Sequence, residues 1–270
     1  MANRFAKTGR FGSNMSEALV TSPLQPMDGW VSAHVTHRGN VRQVNEDAVY
    51  GSPEKGLWAV ADGMGGHEAG DYASSAIVEA LATIEPGADL PATVDRVEDA
   101  LLSVNDALKA YAKSTCRGET VGSTVVAMMA LERLGVVLWA GDSRLYRLRH
   151  EALEQITRDH NPIADLLDAG AVTEAEAMNA NTNIITRAVG GQGDLHLDIV
   201  VFDIEPDDRY LLCSDGLYRE LEAPELMQCM RQAVDAGVRS ALETCLARAA
   251  HDNVSLVMLH PAAHVNEAAP

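Results

Sequence analysis

Five aspartates in this 270-residue chain share one local pattern. Asp47, Asp62, Asp142 and Asp215 each stand at or beside the end of a run that reads as a β-strand, with glycine next to three of them; Asp252 stands just before such a run. A lone Asp at a strand end is most often a turn former or a helix cap. Five of them invite a different chemistry. If those strand ends converge, the carboxylates and the neighbouring Glu46 repel one another, and their pKa values rise unless cations neutralise them. Oxygen ligands without His/Cys ligand spacing select Mg²⁺, Mn²⁺ or Ca²⁺ over Zn²⁺ or copper. Gly63, directly after Asp62, has no side chain to keep its carbonyl from joining such a set. Convergence is what spacing alone leaves open.

The elements that must do the positioning read as follows. After residues 1–28, rich in Ser, Asn, Gly and Pro and expected to be a mobile tail, short alternating runs begin. Within that tail, Phe5 and Phe11 beside basic residues offer an alternative reading as a docking segment. Strands are predicted over 30–36, 48–50 and 57–61, forming an antiparallel meander. Apolar residues at helical spacing predict helices over 69–84 and 93–112. The runs 122–131 and 136–140 read as one hairpin, and 145–148 with 153–156 as another. A polar insertion, about 161–183, carries short helical pieces at 162–169 and 173–178, with Thr173 and Glu176 in capping-box spacing. Strands over 197–202 and 209–213, helices over 224–234 and 239–250, and a last strand over 254–259 complete the pattern. One α+β domain is expected over 29–262, with 263–270 as a C-terminal tail.

Composition narrows the function. The net charge of -18 argues against a nucleic-acid surface, which needs clustered Lys and Arg. Cys116, Cys213, Cys229 and Cys245 are scattered and read as reduced thiols. No apolar run is long enough to span a membrane, and the N-terminus lacks the apolar core of a secretory signal, so no membrane insertion and a cytoplasmic location are expected. A monomer is expected.

The ordered set Arg42-x-x-Asn45-Glu-Asp47, Ala61-Asp-Gly-Met-Gly-Gly66, Gly141-Asp-Ser-Arg144, Ile156-Thr-Arg-Asp-His160, Ile185-Thr-Arg-Ala188, Ser214-Asp-Gly-Leu217 and Asp252-Asn-Val-Ser255 resembles the protein phosphatase 2C family in its compact bacterial form. The resemblance covers roughly residues 29 to 260. It implies a β-sandwich of two antiparallel sheets flanked by helices, four layers α-β-β-α, with two Mn²⁺ or Mg²⁺ ions at one edge. It further implies that Asp47, Asp62, Asp215 and Asp252 hold the ions, with the Gly63 carbonyl as a further ligand and Glu46 acting through water. Asp142 matches a position that supports a third, weaker ion together with Asp215. Arg42 matches the phosphate-binding arginine, whose planar fork suits bidentate contact with phosphoryl oxygens. The activity implied is hydrolysis of phosphoserine and phosphothreonine in proteins by a metal-bridging hydroxide, opposing a bacterial Ser/Thr kinase.

Two departures bear on that carry-over. Many eukaryotic members place His directly after the Asp-Gly pair, where this chain has Met64; His67, three residues on, is the candidate proton donor, with a helix N-terminal residue as its bland alternative. Arg219, four residues after Asp215, brings a cation to the third-ion position. The insertion corresponds to the family's variable flap. Two other readings stay open: a regulatory phosphoprotein-binding module of the same fold without turnover, and a phosphatase of small metabolites.

Overall fold

The computed structural model describes residues 29–65, 69–173, 176 and 184–262. The apolar runs become strands buried on both faces, because two sheets stack and each carries helices on its outer side. One sheet has the order β1 (Trp30–His37), β11 (Val254–Pro261), β10 (Arg209–Cys213), β7 (Arg144–Arg149) and β8 (Ala152–Gln155). The other has β2 (Asp47–Ser52), β3 (Leu57–Met64), β5 (Val125–Leu131), β6 (Leu134–Ala140) and β9 (Asp198–Asp203), with β4 (Gly122–Ser123) paired to β3. Every pairing is antiparallel.

Strand alternation builds three cores. Trp58 and Val60 of β3 face inward with Val126, Met128, Trp139, Tyr210, Leu212 and Val257, filling the space between the sheets. Their neighbours Leu57, Ala59 and Ala61 face outward against α1 (Ala69–Ala82) and α2 (Leu90–Thr115). On the other flank Leu211, Cys213 and Leu256 pack against α5 (Ala223–Met230) and α6 (Val234–Leu246). The expected four-layer α-β-β-α sandwich is the architecture observed. All four cysteines are free, and among the described residues no helix is long and apolar enough to cross a membrane.

Several boundaries differ from expectation. The first strand does not continue a meander into β2; β1 pairs with β11, from the far end of the chain, and 38–46 crosses between the sheets. Helix α2 starts at Leu90, earlier than Thr93, because Asp89 caps it by accepting the Ala92 N–H at 2.8 Å and Pro91 suits the first turn. The predicted helix over 224–234 stops at Met230, and Val234 instead opens α6. The helix expected over 239–250 runs over Val234–Leu246 and includes Gly237, where a Cβ would lie 2.5 Å from the Cys229 carbonyl oxygen of α5. Two short elements, β4 and α4 (Asp215–Tyr218), escape any periodicity test because they are too short to show one. Helix α3 (Pro162–Asp168) begins the insertion, capped by Asn161. Thr173 and Glu176 do form reciprocal capping bonds; the remainder of that predicted helix and both tails lie outside the described residues.

Candidate metal centre

The antiparallel registers bring the aspartates to one edge of the sandwich. Asp47 opens β2 and is the cross-strand partner of Asp62 near the end of β3. Val125 pairs with Ala140, so the Gly141-Asp142 turn leaves β6 at that same edge. In the second sheet Cys213 pairs with Leu256, which puts Ser214-Asp215 beside the Asp252-Asn253 entry to β11. Five carboxylates from opposite ends of the sequence therefore share one field.

The acidities of Asp47, Asp62, Asp142 and Asp215 report the crowding. Burial pushes the Asp62 carboxyl well above its ordinary range, and Asp47, Asp215, Asp142 and Asp252 each push it further. Burial likewise raises Asp142, to about 6, with Asp215 adding to the effect and Arg219 opposing it. Asp47 is raised by burial and held back by hydroxyl bonds from Ser255 and Ser214, the Ser214 Oγ lying 2.8 Å from Oδ2. Asp215 is raised by burial against the pull of Arg219, whose Nη2 stands 2.9 Å from Oδ2, while its Oδ1 is buried without a hydrogen-bond partner.

The cationic side of the cleft is Arg42. Its Nη2 donates to Asp252 Oδ2 at 2.8 Å, and Glu46 and Asp62 add to its field. Its half-exposed guanidinium leaves donors open to the cleft mouth. Glu46 lies beside Arg42 and Asp252, with its carboxylate against Gly70 at the start of α1, so it stands at the rim of the cluster. Gly63 donates its N–H to the Glu46 carbonyl at 3.0 Å, and a Cβ there would lie 2.1 Å from the Gly70 oxygen. That close approach accounts for the glycine. His67 lies outside the described residues.

Among the described residues no three His, Cys, Asp or Glu side chains close on one point as a ready-made ligand set. Asp252 and Asp215 engage arginines instead. The donor chemistry still fits a hard divalent cation. Several carboxylates are raised together by burial and mutual repulsion, the set holds oxygen donors and no thiolate or imidazole, and one buried carboxylate oxygen is unpaired.

The sequence profile of the protein phosphatase 2C family matches residues 36–250. The chain belongs to this family. The serine/threonine protein phosphatase PstP of Mycobacterium tuberculosis is 37% identical over 227 residues, 82% of this chain, and this chain spans 43% of that protein's length. Among solved structures, PppA, a key regulatory component of T6SS in Pseudomonas aeruginosa, superposes with a TM-score of 0.80 at 41% identity, covering 87% of this chain and 99% of that one. The catalytic domain of PstP in complex with two manganese ions superposes with a TM-score of 0.77 at 32% identity, covering 87% and 99%.

Sequence reasoning overlooked the residues that fix the backbone around these carboxylates. Thr124 and Ser143, both buried, share a 2.7 Å hydroxyl contact; Thr124 Oγ1 also accepts the Asp62 N–H at 3.1 Å, tying the Asp62 strand end to the Asp142 turn. Asn253 accepts the Glu46 N–H at 2.8 Å and donates to the Arg38 and Val44 carbonyls at 3.0 Å each, fixing the loop that carries Arg42. His160 plays a supporting part at this edge. It is buried against Trp139 and accepts the Gly141 N–H at 3.0 Å, supporting the Asp142 turn. Ser143, Asn253 and His160 lie inside the matched motifs, which was the available signal.

Proposed function

We propose that this chain is a metal-dependent protein serine/threonine phosphatase, acting on phosphoserine and phosphothreonine in proteins. The observation that carries this reading is the convergence of five strand-end aspartates beside an arginine with open donors. In this reading Asp47, Asp62, Asp215 and Asp252 hold two Mn²⁺ or Mg²⁺ ions, with the Gly63 carbonyl as a further ligand and Glu46 acting through water. The manganese bound to the PstP catalytic domain supports the choice of cation. When bound, such ions supply Lewis acidity and lower the pKa of a water to make a nucleophile near neutral pH.

The chain's own residues do the rest. Arg42 grips two phosphoryl oxygens through its fork and offsets their charge. Thr124 and Ser143 fix the backbone at Asp62 and Ser214 holds the Asp47 carboxylate, so the site is ordered before substrate arrives. His67 is proposed as proton donor to the departing serine or threonine oxygen. Arg219 places a guanidinium on Asp215 and in the field of Asp142, which favours two ions over three. The unit proposed to act is residues 29–262, a cytoplasmic monomer opposing a Ser/Thr kinase, with about 161–183 as a flap beside the cleft.

The test is hydrolysis of a phosphothreonine peptide with Mn²⁺ present and after chelation, compared with p-nitrophenyl phosphate. Mn²⁺-dependent release of phosphate from the peptide is the expected result. Turnover confined to p-nitrophenyl phosphate and small phosphate esters would identify a metabolite phosphatase, and no turnover of either would leave a binding module.

A further inference from the structure

Asp215 and Asp142 leave the sandwich at the same end of one strand pair. Cys213 of β10 and Arg144 of β7 are antiparallel partners. Asp215 follows the first by two residues, and Asp142 precedes the second by two. The ladder ends at that pair, because Asp215 opens the short helix α4 while Asp142 belongs to the turn from β6. Strand pairing alone therefore leaves the spacing of the two aspartates open.

Tyr218, the last residue of α4, closes the gap. Its hydroxyl donates to the Asp142 backbone carbonyl at 3.1 Å, and the direction is fixed because a carbonyl can only accept. Its ring lies against the Arg144 guanidinium, with Cζ 3.5 Å from the ring centroid. That guanidinium is itself locked. Nε and Nη2 grip Asp159 at 2.9 and 2.7 Å, Nη1 donates to the Tyr146 hydroxyl at 2.7 Å, and Asp159 also accepts from Gln155 Nε2 at 3.0 Å. Helix α4 also presses on the entry to β11, where a Cβ on Gly216 would lie 2.0 Å from the Asn253 carbonyl oxygen. The helix that carries Asp215 is thus tied to β11 through its backbone and to the 142–144 segment through one side chain. Residues three apart share a helix face, so a fixed Tyr218 fixes the direction of Asp215 as well. No link in this arrangement depends on the charge of a cluster aspartate, since Tyr218 meets Asp142 at its backbone.

We propose that Tyr218 is a positioning residue, a strut that holds Asp215 at its working distance from the Asp142 turn and so sets the affinity of the cluster for its cation. The proposal rests on Asp215 being a cation ligand, as read above. Groups behind a ligand govern its orientation, and with it the affinity of the site.

The experiment is Mn²⁺ binding to the full chain by titration calorimetry, with thermal unfolding of each variant measured in chelator. Tyr218→Phe keeps the ring on Arg144 and deletes the hydroxyl. It should weaken Mn²⁺ binding about threefold to tenfold, the scale of one hydrogen bond. Tyr218→Leu removes the ring contact too and should weaken binding roughly ten- to a hundredfold. Raising Mn²⁺ to saturation should return Tyr218→Phe to wild-type turnover of p-nitrophenyl phosphate, a rescue that a purely structural role would not show. Wild-type Mn²⁺ affinity in Tyr218→Phe, whatever its unfolding temperature, would overturn the strut, and so would a turnover defect that saturating Mn²⁺ leaves in place. Should Tyr218→Leu fail to fold, Tyr218→Phe alone decides. A wild-type chain that binds no Mn²⁺ would instead defeat the cation-ligand reading beneath the proposal.

Discussion

Strand β10 carries a buried aspartate at each end, and the two are treated in opposite ways. Asp208, just before it, is 1% exposed, and Asp215, just after Ser214, is 9% exposed. Asp208 receives Arg149 Nε and Nη2 at 2.6 Å each, the Tyr210 hydroxyl at 2.7 Å and the Glu205 N–H at 2.8 Å. Burial pushes its pKa up, yet these bonds win and hold it below the ordinary value. Asp215 has Arg219 on one oxygen, nothing on the other, and a net upward shift led by burial. Similar burial with full satisfaction makes a structural anchor. Burial with like charges and an unpaired oxygen makes a site that calls for a cation.

The contrast can be broken most sharply at its acidic end. Asp215→Asn, and equally Asp62→Asn, should lower Mn²⁺-dependent kcat/KM at least about a thousandfold, near 4 kcal/mol of barrier, while circular dichroism stays native. Full activity in either variant would remove the two-ion reading. At the satisfied end the pattern should invert. Asp208→Ala leaves Arg149 without its bidentate partner and should lose about 3 kcal/mol of unfolding free energy in urea titrations, with kcat changed less than about twofold.

The pH dependence separates the two ends further. Asp142 has its folded pKa raised to about 6 from 3.8, so its contribution to stability is fully present below the unfolded value and is lost as pH rises through about 6. In the presence of a chelator, Asp142→Asn should escape that loss and be more stable than wild type at pH 7 by up to about 3 kcal/mol, with the difference gone below about pH 4. Asp208 has the opposite sign. Its folded pKa is lowered, so its contribution is present above the unfolded value and fades as pH falls through the folded one. A smaller kinetic effect is expected from Arg42→Ala, which should raise KM about tenfold with kcat less affected, because phosphate binding is what it loses. An unchanged KM would show that Arg42 does not contact phosphate.

Much of this was readable in the chain, for identifiable reasons. The strand ends were marked because apolar runs such as Leu57–Ala61 stop at Asp62, and ligand candidates cluster where a strand leaves the core. What the chain did not disclose was pairing between distant segments. Nothing in Trp30–His37 says that it lies beside Val254–Pro261 and not beside β2, because alternation marks faces and not neighbours. The hydroxyls were silent for a related reason. Ser and Thr are common in turns and strands, and Thr124 and Ser214 gain meaning only when Asp62 and Asp47 arrive from elsewhere. The helix break near Arg231 was missed because Val234 continues the apolar spacing of α5 while belonging to α6.

The central claim is that the carboxylates at this edge form a cation site and that the buried Asp208 does not. Mn²⁺ titration calorimetry on the wild type, Asp62→Asn and Asp208→Ala, at neutral pH and below the unfolding temperature of each, tests it most directly. The account predicts two tightly bound ions per chain in the wild type and in Asp208→Ala, and loss of tight binding in Asp62→Asn. Undiminished binding in Asp62→Asn, or none in the wild type, would contradict it.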